Sequence, residues 1–149
     1  MMEAVIIRDR DELYEDWKRL GENFSPSLYQ RLDNYSKFID KLYQHADNYA
    51  VVEEDILMGM ISFYANDPVK KTAYITEIIV DKPYQGRGIG RKLIDICVGV
   101  SVRKGMNKIR LEVKKDNTGA IHFYNRLGFR YESDKSEEAV YMYCDIGRE

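Results

Sequence analysis

Apolar residues recur along this chain at two spacings, and the changes of spacing mark out its elements. Ala4 to Arg8 is short and β-branched and reads as a strand. From Asp9 to Leu20 the apolar positions Leu13, Trp17 and Leu20 fall at helical intervals, and Gly21 supplies a C-terminal cap. Ser25 and Pro26 read as an N-cap followed by proline in the first helical position. One further helix is then expected through Leu28, Leu32, Tyr35, Phe38, Ile39 and Leu42. Two β-rich runs follow, Asn48 to Glu53 and Ile56 to Tyr64, with Glu53-Glu54-Asp55 as their hairpin turn. Asn66-Asp67-Pro68 makes the next turn and Ala73 to Val80 the next strand, which Pro83 halts.

Past a cluster of glycines the chain becomes strongly apolar. Leu93, Ile94, Ile96, Cys97, Val98, Val100 and Val102 predict a long helix, buried over most of its circumference and closed by Gly105. Lys108 to Val113 reads as a strand and Asn117 to Leu127 as a helix capped by Gly128. Phe129 to Tyr131 and Ala139 to Ile146 are the last two strands. The order β-α-α-β-β-β-α-β-α-β-β belongs to the α/β class, a mixed sheet with helices on both sides. With 149 residues and neither linker nor repeat, one domain over residues 1–149 is expected.

The glycine cluster carries the chemistry. A strand ending Ile78-Ile79-Val80 runs into Gln85-Gly86-Arg87-Gly88-Ile89-Gly90, and that turn opens the apolar helix. Alternate glycines accept positive φ and present no side chain, so successive N–H groups can converge on a ligand. A helix start adds amides without intrahelical partners and a partial positive charge, a seat for a pyrophosphate. The spacing is neither the triphosphatase loop G-x-x-x-x-G-K-[ST] nor the dinucleotide fingerprint G-x-G-x-x-G. Charge agrees with the loop. The net charge of −2 conceals a basic middle, residues 82–115, between acidic flanks at 1–81 and 116–149. That pattern suits a compact polyanion better than a long nucleic acid.

The pattern Ile78-Ile79-Val80 with Gln85-Gly86-Arg87-Gly88-Ile89-Gly90 resembles the acetyl-CoA signature of the GNAT superfamily of N-acetyltransferases. A second part of the resemblance lies at Leu111-Glu112-Val113, Asp116-Asn117, Ala120, Phe123-Tyr124 and Gly128-Phe129. The resemblance implies the GNAT acyl-CoA N-acyltransferase fold and acetyl-CoA as the acetyl donor. It implies that the backbone of Ile78 and Val80 meets the pantetheine amides. Gln85, Gly86, Arg87, Gly88, Ile89, Gly90 and Arg91 would hold the pyrophosphate, and Asn117 would lie near the pantetheine. Tyr124 matches the family's usual general acid.

For the base there are two carboxylates, Glu77 one residue before Ile78, and Glu112. Glu112 sits in an otherwise apolar strand, where a lone carboxylate would be harder to ionise. Ordered water could serve instead. The expected function is transfer of an acetyl group to a primary amine by direct attack. A non-catalytic acyl-CoA-binding module on the same fold is the alternative. The acidic balance of residues 1–81 favours a cationic amine, small or peptidic.

Other chemistries find no support. Cys97 and Cys144 lie in apolar runs and make no metal or redox spacing, and no histidine is placed beside either by motif. No metal is expected. No run approaches the ~20 apolar residues of a membrane span, and residues 1–10 have no signal-peptide core. A cytoplasmic protein without nucleic-acid or membrane partners is expected, and a homodimer is left open.

Overall fold

The computed structural model describes residues 1–24 and 26–147. Its elements are β1 (Glu3–Ile6), α1 (Arg10–Leu20), α2 (Leu28–Arg31), α3 (Tyr35–His45), β2 (Asp47–Glu53), β3 (Ile56–Tyr64) and β4 (Thr72–Val80). They continue as α4 (Ile89–Arg103), β5 (Lys108–Lys114), α5 (Thr118–Arg126), β6 (Arg130–Asp134) and β7 (Ala139–Asp145). Single 3₁₀ turns lie at Gly21–Asn23 and Lys82–Tyr84. The strands make a seven-stranded sheet in the order β1-β2-β3-β4-β5-β7-β6. β1–β2, β2–β3, β5–β7 and β6–β7 are antiparallel. β4 and β5 are parallel, pairing Thr72–Tyr74 with Lys108–Arg110, and α4 is the crossover such neighbours require.

The chain divides into two compact units, Met1–Tyr64 with Thr76–Cys97, and Ala65–Ile75 with the chain from Val98 onward. In the first, α1 starts because the Asp9 side chain accepts from the amides of Asp11 and Glu12. Acids in its first turn and Lys18 and Arg19 in its last complement the helix dipole. Its apolar stripe, Leu13, Trp17 and Leu20, is fully buried against Leu28, Ile39, Leu42 and Met60. The Trp17 indole would be costly to bury unpaired. It donates to Ser62 Oγ at 2.9 Å, and Ser62 donates to Asn48 Oδ1 at 2.6 Å. Asn48 Nδ2 donates in turn to the Leu42 and Ala46 carbonyls, which ties α3 to β2.

Two expectations for this region need correction. The single helix expected over Leu28 to Leu42 is two, because Leu32 turns extended at ψ 132°. Asn34 then caps a new start by accepting from the Lys37 amide. Ser25, read as the cap of the first of these, lies outside the described residues, and the cap found is Ser27, which accepts from the Gln30 amide. The hairpin turn is as expected, with Glu54 and Asp55 both at positive φ (51° and 64°). Opposite the irregularity between Val51 and Val52 lies Gly59, where a side chain would come 2.9 Å from the Ile79 carbonyl. Only glycine lets β3 approach β4 so closely.

In the second unit β5 alternates cleanly, with Ile109, Leu111 and Val113 buried. Its other face carries Lys108 and Arg110, both half-buried, and the exposed Glu112. The Arg110 guanidinium stacks 3.6 Å from the Tyr141 ring centroid and binds Glu132 at 2.7 Å. β6 runs over Arg130–Asp134 rather than ending at Tyr131 as the sequence suggests, because its pairing with β7 extends to Asp134↔Val140. α4 buries Ile89, Leu93, Ile94, Cys97 and Val100, but Val102 is exposed. Among the described residues no helix is long and apolar enough to cross a membrane.

Candidate active site

The first unit holds the glycine loop. β4 ends at Val80, a 3₁₀ turn follows over Lys82–Tyr84, and α4 begins at Ile89. Gly86 and Gly88 stand at φ 85° and 80°, in the left-handed region that the expected cradle requires. A Cβ built on either meets nothing within 4 Å, so the space beside the loop is open to a ligand. The first intrahelical bond of α4 runs from the Lys92 amide to the Gly88 carbonyl at 3.1 Å. The amides of Ile89, Gly90 and Arg91 therefore lie ahead of it, at the positive end of the helix dipole. Arg87 and Arg91 are exposed at this end. Among the described residues no ion pair engages Arg87, Arg91 or Lys92. The Arg87 guanidinium lies 5.4 Å from the Tyr84 ring centroid. Open left-handed glycines, a helix start and exposed arginines fit a pyrophosphate.

Gln85 is oriented from within the loop. Its Nε2 donates to the Val80 carbonyl at 3.1 Å, so the side chain folds back over the end of β4. Ile78 and Val80 are half-buried on β4. Glu77 precedes them with its side chain only 13% exposed, and Arg31 Nη2 at the end of α2 lies 3.0 Å from Glu77 Oε1. The Arg31 guanidinium also sits over the Phe24 ring at 5.7 Å. Sequence reading missed Arg31, because nothing local connects it to a residue 46 positions away.

The second unit holds the other candidates. Asn117 caps α5, its Oδ1 accepting from the Ala120 amide at 3.1 Å. Tyr124 is buried on α5, with its ring edge-on to Phe123 at 5.3 Å and to Phe129 at 5.6 Å. The Phe129 amide also bonds the Tyr124 carbonyl, which closes the turn at Gly128. Glu112 is not the lone carboxylate in apolar surroundings that its strand suggested. It lies on the exposed face of β5, with Oε1 2.7 Å from Lys135 Nζ. That bond raises the Lys135 ammonium above its ordinary value. Neither Cys97 nor Cys144 is in a disulfide, and burial raises the Cys144 thiol, which disfavours a thiolate nucleophile. Among the described residues no cluster of His, Cys, Asp or Glu could hold a metal.

Comparison with known proteins bears on the chain as a whole. The profile of the Acetyltransferase (GNAT) family matches residues 10–129. An uncharacterized N-acetyltransferase of Methanocaldococcus jannaschii is 40% identical over 68 residues, covering 46% of this chain and 30% of that protein. The [ribosomal protein bS18]-alanine N-acetyltransferase of Escherichia coli K12 is 34% identical over 96 residues, covering 58% of this chain and 65% of that one. The match thus spans less than two thirds of either relative. A crystal structure of the Escherichia coli ribosomal-protein-S18-alanine N-acetyltransferase superposes with a TM-score of 0.77, covering 100% of this chain and 96% of that one, at 19% identity. A solved structure from Bacillus anthracis, in complex with acetyl coenzyme A, is 27% identical, with a TM-score of 0.62 over 68% of this chain and 63% of that one.

Proposed function

The chain belongs to the GNAT acetyltransferase family, and from that premise we propose that it transfers the acetyl group of acetyl-CoA to a primary amine by direct attack. The observation that carries this reading is the loop: two open left-handed glycines running into the N-terminus of α4 beside the exposed Arg87 and Arg91. In the proposal Gln85 and the amides of Gly86 to Arg91 hold the pyrophosphate of the donor. The backbone of Ile78 and Val80 holds its pantetheine arm, with Asn117 beside it. A backbone N–H on β4 polarises the thioester carbonyl as it becomes an oxyanion, which is often a large contribution in acyl transfer.

The neutral amine attacks the thioester carbon, a C–N bond forms, and the C–S bond breaks. We assign the proton for the departing thiolate to Tyr124, whose hydroxyl sits on a ring fixed by Phe123 and Phe129. The proton lost by the amine goes to Glu77 or to water held there. Glu77 is preferred to Glu112 because it stands one residue before Ile78 with its side chain 13% exposed, whereas Glu112 lies on the exposed face of β5.

For the acceptor we favour the α-amino group of a peptide or protein. The Escherichia coli relative is named for an alanine of ribosomal protein bS18, an Arabidopsis thaliana relative is named an N-alpha-acetyltransferase, and the acidic balance of residues 1–81 suits a cationic acceptor. A panel of amines tests the reading, with free CoA as readout: peptides beginning in alanine, serine or methionine, free lysine, a polyamine and an aminoglycoside. Release of CoA with one class, and with an N-terminal peptide above the rest, is expected. No release with any amine, from folded protein that binds acetyl-CoA, would favour a binding module.

A further inference from the structure

Asp81 stands between β4 and the glycine loop and fastens both to the far end of α1. Its amide donates to the Met58 carbonyl of β3 at 2.8 Å. Its Oδ1 accepts from Asn23 Nδ2 at 3.0 Å and from the Lys82 amide at 3.1 Å. Its Oδ2 lies 3.3 Å from Arg19 Nη1, and Arg19 Nη2 reaches on to the Leu57 carbonyl. Asn23 completes the arrangement, its Oδ1 also accepting from the Lys82 amide at 3.1 Å and its Nδ2 also donating to Leu20. The Asp81 side chain is 18% exposed. The Lys82 amide, held by two side-chain oxygens, begins the 3₁₀ turn that delivers the chain to Gln85.

We propose that Asp81, held by Asn23 and Arg19, is the positioning residue of the pyrophosphate loop. The inference rests on the acetyl-CoA reading of that loop. A segment built on two left-handed glycines with open space around them has wide conformational freedom, and ordering it on binding costs affinity. Clamping its root, from Val80 to Tyr84, removes much of that cost before the ligand arrives. The clamp needs an acceptor for the Lys82 amide and a partner across to α1, which a carboxylate supplies with its two oxygens. A bare carboxylate near the site would repel phosphates, and the Arg19 guanidinium neutralises it. Asp81 touches no part of the donor in this account; it acts through the loop.

S-acetylpantetheine, which carries the thioester but no pyrophosphate, separates positioning of the loop from general damage to the fold. The acceptor is whichever amine is best for the wild type, and both donors are compared on wild type, Asp81→Ala and Asn23→Ala. With acetyl-CoA, Asp81→Ala is expected to lose kcat/KM about tenfold to hundredfold, through KM, the scale of a hydrogen bond to a charged group. With S-acetylpantetheine its kcat/KM should stay within about twofold of wild type. Asn23→Ala should show the same pattern with a smaller loss, and carries the test if the Asp81 variant does not fold. Parallel losses with both donors, or no loss with either, would overturn the positioning role. A wild type that does not prefer acetyl-CoA to S-acetylpantetheine would overturn the pyrophosphate reading of the loop, and the positioning role with it.

Discussion

Arg31, the last residue of α2, holds its Nη2 3.0 Å from Oε1 of Glu77 on β4. The pair joins the short helix to the strand just ahead of the proposed pantetheine-binding residues. Arg31 is partly exposed (43%), so its pairing is worth no more than about 1 kcal/mol of stability. If Glu77 accepts the amine proton, Glu77→Gln should lower kcat by ~10²–10⁴-fold with acetyl-CoA affinity unchanged. Arg31→Ala should leave the melting temperature close to wild type. Steady-state kinetics and thermal melts check both, and an unchanged kcat for Glu77→Gln, with chemistry rate-limiting, would move the role to water.

Tyr124 is a buried aromatic as well as the proposed acid, and two substitutions separate the roles. Tyr124→Phe keeps the ring against Phe123 and Phe129 and should cost ~10²–10⁴-fold in kcat, with donor affinity little changed. Tyr124→Ala should in addition destabilise the fold by about 3–5 kcal/mol through the lost ring. A Phe variant of normal kcat would leave thiolate departure unassisted by this hydroxyl.

Gly88→Asp should abolish binding of CoA. The space beside Gly88 is open, so the loss would come from the charge and from the side chain entering the phosphate seat. Gly88→Ala is the control, since it bears the same strain at φ 80° without the charge. Binding measured on both should fall further for the aspartate substitution. Equal affinities for the Gly88→Asp variant and wild type are the outcome that removes the loop from donor binding.

How far the sequence revealed these residues depended on how local their signals are. The β4–loop–α4 segment was legible because strand, glycines and apolar helix are contiguous, and Gly86 and Gly88 stand at the positive φ their identity suggests. The break between α2 and α3 was not, because Leu28, Leu32, Tyr35 and Ile39 continue a helical spacing straight across it. The usable signal was Asn34, a cap residue three positions before the amide it binds. β6 was cut short because Arg130–Asp134 has no apolar face, and only its pairing with β7 makes it a strand. Glu112 looked isolated because its partner Lys135 lies 23 positions on. The Asp81 clamp was invisible for the same reason, its partners being 58 and 62 positions away.

Asp16 offers a test of the first unit that is independent of catalysis. Its carboxyl is pushed above the usual range, first by burial and then by the charge of Glu12. A carboxyl that ionises less readily in the folded than in the unfolded chain costs stability once ionised. The cost is therefore full above the raised folded value, shrinks as pH falls, and is gone below the unfolded value. Asp16→Asn should melt above wild type at pH 7, and the gap should close below about pH 4. A gap that is absent at pH 7, or that widens in acid, would contradict the burial of this carboxyl.

Acetyl-CoA is the proposed donor at residues 85–91, and titration calorimetry of the folded wild-type chain with acetyl-CoA tests that directly. The expected result is one site per chain with Kd in the micromolar range, about −8 kcal/mol. It should weaken as salt is raised, because exposed arginines meet the phosphates. No heat with either acetyl-CoA or CoA, on protein shown by its melt to be folded, would contradict it.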